Sequence, residues 1–340
     1  MRKFDFVIGN PPYQQESVGA NGNDTPIYHY FYKEAYKLAD RVELISPARF
    51  LFNAGGTPKE WNDTMLNDEH FKVKEFFPVS SEVFPNTDIK GGLVISYRDK
   101  AKRFGSLGYY SPYPELNSIR EKVDNLSHQS LMDIVSNRGL YRYSDKAYQE
   151  QPDELEKTAD RRIAPSSFER MPKLFTADKP NDGHEYVQIF GNLKTERVYR
   201  WFRKDYVQSI ENLYKYKVMV PKANGSGALG EVLSTPLIGY PLIGFTETYI
   251  SIGEVDSEKE ASAILKYVKS KFARCMLGIL KVTQNNAKPT WAKVPLQDFT
   301  EKSDIDWSKP VSEIDQQLYK KYNLTQEEID FIETHVKEMA

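Results

Sequence analysis

Asn10, Pro11, Pro12 and Tyr13 follow one another directly after the apolar run at residues 4–8, and their order suits one kind of chemistry. Two successive prolines hold φ at about −65° and remove two backbone donors, and a residue that precedes proline is kept extended. The amide oxygen of Asn10 and the carbonyl of Pro11 can then point the same way. Two converging acceptors suit an exocyclic amino group: each takes one N–H, and the nitrogen lone pair is left to face an electrophile. Tyr13 offers an aromatic face to the planar ring that bears the amine. A proline-rich turn with an Asn start is common among isolated tetrapeptides. The same four residues at the exit of a strand are much rarer, and the carboxyl end of a parallel strand is where α/β folds place their sites.

Other constellations carry less. Residues 225–230 spell Gly-Ser-Gly-Ala-Leu-Gly after the apolar residues 218–220, but Pro236 and Pro241 interrupt the helix that a dinucleotide-binding loop requires. We read this segment as a flexible loop and not as a cofactor cradle. Asp153, Glu154, Glu156 and Lys157 resemble a metal-nuclease motif, yet the Asp stands too close to the Lys, and Leu155 occupies the position that needs an acid. His29, His70, His128, His184 and His335 have no ligand spacing, so no metal site is expected. The single cysteine, Cys275, excludes an internal disulfide framework and a multi-cysteine zinc site; its place beside Met276 reads as apolar packing.

The elements that must position the tetrapeptide follow from periodicity. Residues 4–8 read as a strand, residues 27–39 as a helix with apolar positions at helical spacing, and residues 42–45 as a second buried strand. This is the grammar of a strand–helix–strand unit. A helix over residues 57–67 is expected to start with Thr57 as N-cap, Pro58 at the first helical position and Glu60 closing a capping box. Strands at 73–79 and 93–97, joined by a turn-rich loop, complete a largely parallel sheet that ends in a hairpin. Such a fragment leaves an edge strand and apolar surface bare, so an upstream segment or a partner chain is expected to cover it. From about residue 105 the pattern becomes irregular and aromatic, which places a domain boundary there: residues 1–104 and 105–340. Short strands are expected at 131–133, 186–190, 217–221, 241–244 and 249–252. A long amphipathic helix is expected over 257–280, and a last helix over 325–337 with Thr325 and Glu328 forming a capping box.

Composition sets the limits. The chain has 340 residues, 40% of them hydrophobic and 28% charged, which suits two folded units and excludes a disordered or low-complexity protein. Its apolar runs fall far short of the roughly 20 residues of a membrane helix, and its start has no apolar signal core, so a cytoplasmic, membrane-free protein is expected. The net charge of −2 hides a pattern: residues 161–222 hold 13 basic and 7 acidic residues together with ten aromatics. Cations that displace counterions from phosphates, interleaved with flat rings, suit a nucleic acid surface; a solvated surface with buried rings gives the same counts.

The run over residues 4–13, Phe-Asp-Phe-Val-Ile-Gly-Asn-Pro-Pro-Tyr, resembles the catalytic motif of adenine-specific DNA methyltransferases. Residues 44–51, and Val83-Phe84-Pro85-Asn86-Thr87 followed by residues 91–95, are similar to later motifs of bacterial type II restriction-modification proteins that join methylation to restriction. The resemblance implies a partial Rossmann-like methyltransferase sheet, its latter half, followed by a mixed α/β target recognition domain over residues 105–340. It implies that Asn10 and Pro11 accept hydrogen bonds from the adenine amine, that Pro12 stiffens the bend, that Tyr13 stacks on the base, and that Phe84 flanks its other side. The base must leave the duplex, because its N6 is otherwise engaged in pairing. The methyl donor implied is S-adenosylmethionine, but the family's glycine motif for it precedes the catalytic tetrapeptide, and only nine residues precede Asn10 here. The pocket is therefore expected to be incomplete, and the isolated chain inactive.

The second half is similar to target recognition domains through residues 248–253, the segment carrying Lys266-Tyr267 and Lys271-Phe272-Ala273-Arg274, residues 281–284 and residues 291–295. Lys194, Arg197, Arg200, Arg203, Lys204, Lys215, Lys217 and Lys222 are the candidate contacts to double-stranded DNA. The alternative is a DNA specificity subunit that recruits a separate catalytic chain; binding of RNA or protein by the second half is a third reading.

Overall fold

The computed structural model describes residues 4–15, 24–108, 110–156, 158 and 160–339. The chain divides into two compact units, Met1–Asn117 and Ser118–Ala340. Lys157 of the nuclease-like run lies outside the described residues.

The first unit runs β1 (Phe6–Gly9), β2 (Gln14–Gln15), β3 (Thr25–Pro26), α1 (Tyr28–Leu38), β4 (Arg41–Pro47), α2 (Lys59–Asn67), β5 (Phe71–Phe77) and β6 (Leu93–Asp99). Four of these form a sheet in the order β1-β4-β6-β5. β1, β4 and β5 run in one direction and β5 returns through a hairpin into β6, but β6 lies between β4 and β5. Only the β1–β4 pairing is parallel, therefore, and the other two are antiparallel. This corrects the expectation of a parallel neighbour for every strand before the hairpin. Leu93, Val94 and Ser96 of β6 are buried, which suits a central strand better than an edge.

α1 presents Tyr28, Tyr32 and Ala35 to the core at helical spacing, where they meet Leu44, Phe50, Trp61 and Met65. Tyr32 is fully buried, and its hydroxyl bonds Ser46 Oγ at 3.0 Å and Ser96 Oγ at 2.7 Å, so this polar group enters the core satisfied. α2 corrects a second expectation. Its N-cap is Pro58, and the buried Thr57 hydroxyl donates to Asn62 Oδ1 at 2.7 Å instead of accepting a helix N–H. β1 stands at the sheet edge with Phe6 and Ile8 exposed, Ile8 by 73%, and with Phe4 exposed just before it.

The second unit begins within α3 (Pro114–Leu126) and continues with three short helices, α4 (Asp145–Glu150), α5 (Pro152–Leu155) and α6 (Ser167–Arg170). β7 (Tyr186–Leu193), β8 (Glu196–Arg203) and β11 (Ile243–Phe245) form one sheet, with β7 in its centre. β9 (Tyr216–Pro221), β10 (Leu237–Gly239) and β12 (Tyr249–Val255) form another, with β9 in its centre. Residues 131–134 are a 3-10 turn with its own Ser130–Asp133 capping box, not the expected strand. The expected long helix is two, α7 (Glu258–Lys269) and α8 (Lys271–Gly278), broken at Ser270. The extended Ser270 accepts from Ala273 N–H at its hydroxyl and so caps a new helix. α9 (Val311–Lys321) was not foreseen, whereas α10 (Gln326–His335) starts with the expected Thr325–Glu328 capping box.

Candidate active site

β1, β4 and β5 point the same way, so the loops that leave them and the turn that feeds β6 gather at one end of the sheet. The Asn-Pro-Pro-Tyr loop leaves β1 at that end. The loop that carries Phe84 joins β5 to β6 there, and the turn that carries Arg49 follows β4. Topology thus brings the tetrapeptide and Phe84 to the same end of the sheet, although they leave its two opposite edge strands and are more than 70 residues apart in sequence.

Within the tetrapeptide, Asn10 and Pro12 are exposed, Pro11 is buried and Tyr13 is half-buried. Pro11 thus anchors the bend while the Asn10 amide remains accessible. The backbone is tied from the other side as well, because the Tyr13 carbonyl accepts from Ile27 N–H at 3.0 Å and β2 pairs with β3 immediately beyond. The Tyr13 hydroxyl is buried and completes no hydrogen bond. Burial, with a smaller contribution from Tyr32, pushes it up to about 12, and the neighbouring Asn10 side chain offsets part of that. Tyr13 therefore stays neutral throughout the physiological range.

The β5–β6 loop is held by its own side chains. Ser80 Oγ donates to the Thr87 carbonyl at 3.0 Å and accepts from Ile89 N–H at 2.8 Å, and Thr87 Oγ1 donates to the Phe84 carbonyl at 2.7 Å. Phe84 is half-buried within it. Arg49 links this loop to the β4 end, since its Nε donates to the Lys90 carbonyl. Gly91 has φ +85, and a Cβ there would collide with the Arg49 side chain. Arg49, which falls within residues 44–51, thus acts as a brace between the β4 end and this loop.

The G-x-G-x-x-G segment is closed to a cofactor. Gly225 and Gly227 take φ +64 and +95 and turn the N–H groups of Ser226 and Gly227 toward one carboxylate, that of Glu231, at 2.8 and 3.1 Å. This is an anion nest filled by its own chain. The Lys281 ammonium pairs with the same carboxylate.

Residues 1–84 match the Eco57I restriction-modification methylase family. Over 94 residues the chain is 33% identical to an uncharacterized adenine-specific methylase of Mycoplasma pneumoniae, which covers 27% of this chain and 22% of that protein. Among solved structures, the type IIL restriction-modification enzyme MmeI in complex with DNA aligns with 97% of this chain and 56% of its own, at 12% identity and a TM-score of 0.44. The type IIG restriction endonuclease BpuSI aligns with 93% of this chain and 50% of its own, at 9% identity and a TM-score of 0.33. The chain thus spans under a quarter of its curated relative and about half of each solved enzyme. The match to the methylase family covers the whole of the sheet's first three strands in sequence, the tetrapeptide and Phe84.

The eight basic residues of the second unit do not share one face. The two-residue period of β8 puts Arg197 and Arg203 on one side with Tyr199 and Trp201, and Arg200 on the other with the buried Phe202. Several are already committed. Arg203 pairs with Asp205 and Glu150, Lys204 with Glu185, and Lys215 with Asp256 and Glu211. Arg197 donates to the carbonyls of Thr235 and Ser234, and Arg200 to that of Tyr199. Lys217 leaves the set: its side chain is fully buried, and its ammonium donates to the carbonyls of Asn212 at 2.6 Å and Lys215 at 3.1 Å. Lys194 and Lys222 keep ammonium groups with no hydrogen bond or ion pair among the described residues.

Two residues of the expected helix over 27–39 have surroundings that sequence reasoning did not foresee. His29 is buried in α1 with both ring nitrogens unpartnered, its ring centroid 3.9 Å from that of Tyr30. The neighbouring Tyr28 hydroxyl is likewise buried without a hydrogen bond. Only their proximity in sequence to the tetrapeptide could have flagged them. Among the described residues, no group of His, Cys, Asp and Glu could hold a metal ion, and no helix is long and apolar enough to cross a membrane.

Proposed function

We propose that this chain is the amine-holding and site-selecting part of a DNA adenine-N6 methyltransferase of a type II restriction-modification system, with residues 1–104 forming the latter half of a Rossmann-like catalytic sheet. The observation that carries this reading is the tetrapeptide itself: an accessible Asn10 and an anchored Pro11 at the loop end of the sheet, beside a half-buried Tyr13. In this reading the Asn10 amide oxygen and the Pro11 carbonyl accept the two N–H groups of a flipped adenine. Those bonds turn the nitrogen lone pair outward and strengthen as positive charge develops on the nitrogen. Tyr13 lies against one face of the ring and Phe84 against the other. The methyl group would come from S-adenosylmethionine. No residue of the chain forms a covalent intermediate or needs to ionise.

The cofactor's cradle is supplied from outside the described residues, by an upstream methyltransferase segment or by a partner subunit. Among the described residues β1 pairs on one side only, and this with the exposed Phe4, Phe6 and Ile8 supports the reading, because an open apolar edge is a template for another strand. The same edge also fits the alternative, a specificity subunit that recruits a separate catalytic chain. The second unit selects the site on double-stranded DNA, as its basic and aromatic content favours.

Titration calorimetry of S-adenosylmethionine into the chain tests the division of labour. No saturable heat is expected with the chain alone, and saturable binding once the missing half is supplied. Tight binding by the chain alone would contradict the incomplete pocket. Retention of one duplex sequence over others, with log affinity falling linearly in log salt, is expected of the second unit; equal binding to any polyanion would contradict site selection.

A further inference from the structure

The second unit contains a cavity of about 420 Å³ where its two three-stranded sheets approach each other, lined in part by Asn192, Lys194, Lys222 and Thr248. Asn192 lies near the end of β7, and Lys194 forms the turn into β8. Lys222 follows β9, and Thr248 precedes β12, with Lys222 N–H donating to the Thr248 carbonyl at 2.9 Å. Two strand ends and a hairpin tip therefore fix the walls.

The lysines are built into this position. Lys194 takes φ +56, a left-handed conformation that a side chain adopts at some cost. Its N–H donates to Glu169 Oε1 at 3.2 Å, which pins the hairpin tip to α6 at the cavity's rim. Lys222 is half-buried, and burial, Arg138 and Arg162 all push its ammonium below the ordinary lysine range, with Glu247 opposing. Glu247 cannot fully neutralise it, because that carboxylate is already bound by Arg138 at 2.9 Å and by Arg162 at 2.7 Å. Among the described residues neither ammonium has a hydrogen-bond or ion-pair partner, although Arg203, Lys204 and Lys215 all do.

The polar lining says what the missing partner is. Asn192 Oδ1 accepts from the Tyr249 hydroxyl at 2.9 Å, which holds the amide in place and leaves Nδ2 as the group with both protons to give. Beside the Glu169 carboxylate, which already accepts from Lys194 N–H, and the hydroxyls of Ser166 and Thr248, the lining offers Asn192 Nδ2 and two ammonium groups as donors. Lysine is a compact point charge without the planar fork that reads guanine edges, and it suits phosphate. We propose that this cavity seats a backbone phosphate of duplex DNA, held by Lys194 and Lys222 with Asn192 Nδ2 as a third donor. The contact fixes the second unit's register on the duplex without reading sequence. This rests on the reading of the second unit as a DNA-binding domain.

The test is fluorescence anisotropy of labelled duplexes against the full chain across a range of salt, for wild type, Lys194→Gln, Lys222→Gln, the double variant and Lys222→Arg. Each single glutamine variant is expected to lose roughly tenfold in affinity at low salt, equally for every duplex sequence. The double variant should flatten the slope of log affinity against log salt by about 0.9, the value of one phosphate, and Lys222→Arg should keep the wild-type slope. A wild type that binds duplex while the double variant matches it in affinity and slope overturns the cavity's role. A loss confined to one base position overturns it in favour of base reading. Calorimetry with inorganic phosphate separates the sources: no saturable heat is expected at millimolar phosphate, and tight binding lost in Lys222→Gln would assign the site to free phosphate instead. A wild type that retains no duplex at all overturns the DNA reading, and this proposal with it.

Discussion

At the scale of single residues, the account assigns Asn10 a role that no neighbour can take over. Asn10→Ala removes one of the two proposed acceptors for the amine and leaves the exposed surface otherwise intact. In the complete enzyme it is expected to lower kcat for adenine methylation by about 10²-fold or more, the effect typical of one lost transition-state hydrogen bond, with little change in DNA affinity. Single-turnover transfer of labelled methyl groups would measure it, and a variant within threefold of wild type would contradict the role. Lys217 makes a different prediction. Its burial lowers the ammonium to about 7, against about 10.4 in the unfolded chain. Between those values the unfolded state binds the extra proton, so stability should rise as pH rises from about 7 toward 10 and be lowest below 7. Lys217→Met should flatten that dependence and raise stability at pH 7, as read from urea midpoints between pH 6 and 9. A profile that keeps its slope in the variant would show that Lys217 is not its source.

Among the elements, the break between α7 and α8 turns on Ser270. Ser270→Ala removes the acceptor for the Ala273 N–H and is expected to cost about 1 kcal/mol of stability, again from urea midpoints; Ser270→Asp, which keeps the cap, should restore most of it. This break was hidden in the sequence because Ala261, Ile264, Leu265, Val268, Phe272, Met276 and Leu277 keep helical spacing straight through Ser270. A cap is visible only when the apolar period also changes. The Thr325–Glu328 cap was legible because Thr and Glu stand at capping-box spacing where the last apolar helical period begins. The strand at residues 6–9 and the helix after it were legible for a similar reason, since both periods are clean and local. The place of β6 between β4 and β5 was not, because it depends on which distant strands pair. Nor was the burial of Lys217 visible, since a lysine in a basic stretch looks like its exposed neighbours until β9 is known to be the centre of its sheet. The tetrapeptide was the clearest signal of all, because two prolines at a strand exit restrict the backbone by covalent geometry alone, whatever the rest of the chain does.

For the whole molecule, the apolar β1 edge is the feature that a free-standing protein would be expected to cover. Ile8→Lys places a charge on that edge. It should leave the melting temperature of the chain nearly unchanged, because Ile8 is exposed, while abolishing recovery of activity when the proposed cofactor-binding segment is supplied in trans. Unimpaired recovery would place the docking surface elsewhere. The central claim is that the tetrapeptide receives adenine N6, and the most direct measurement is a map of modified bases in DNA from methylation-free cells that express the chain together with its cofactor-binding half. The account predicts N6-methyladenine in one sequence context with the wild-type chain and its loss with Asn10→Ala. Methylation on cytosine, or adenine methylation that survives Asn10→Ala, would contradict it.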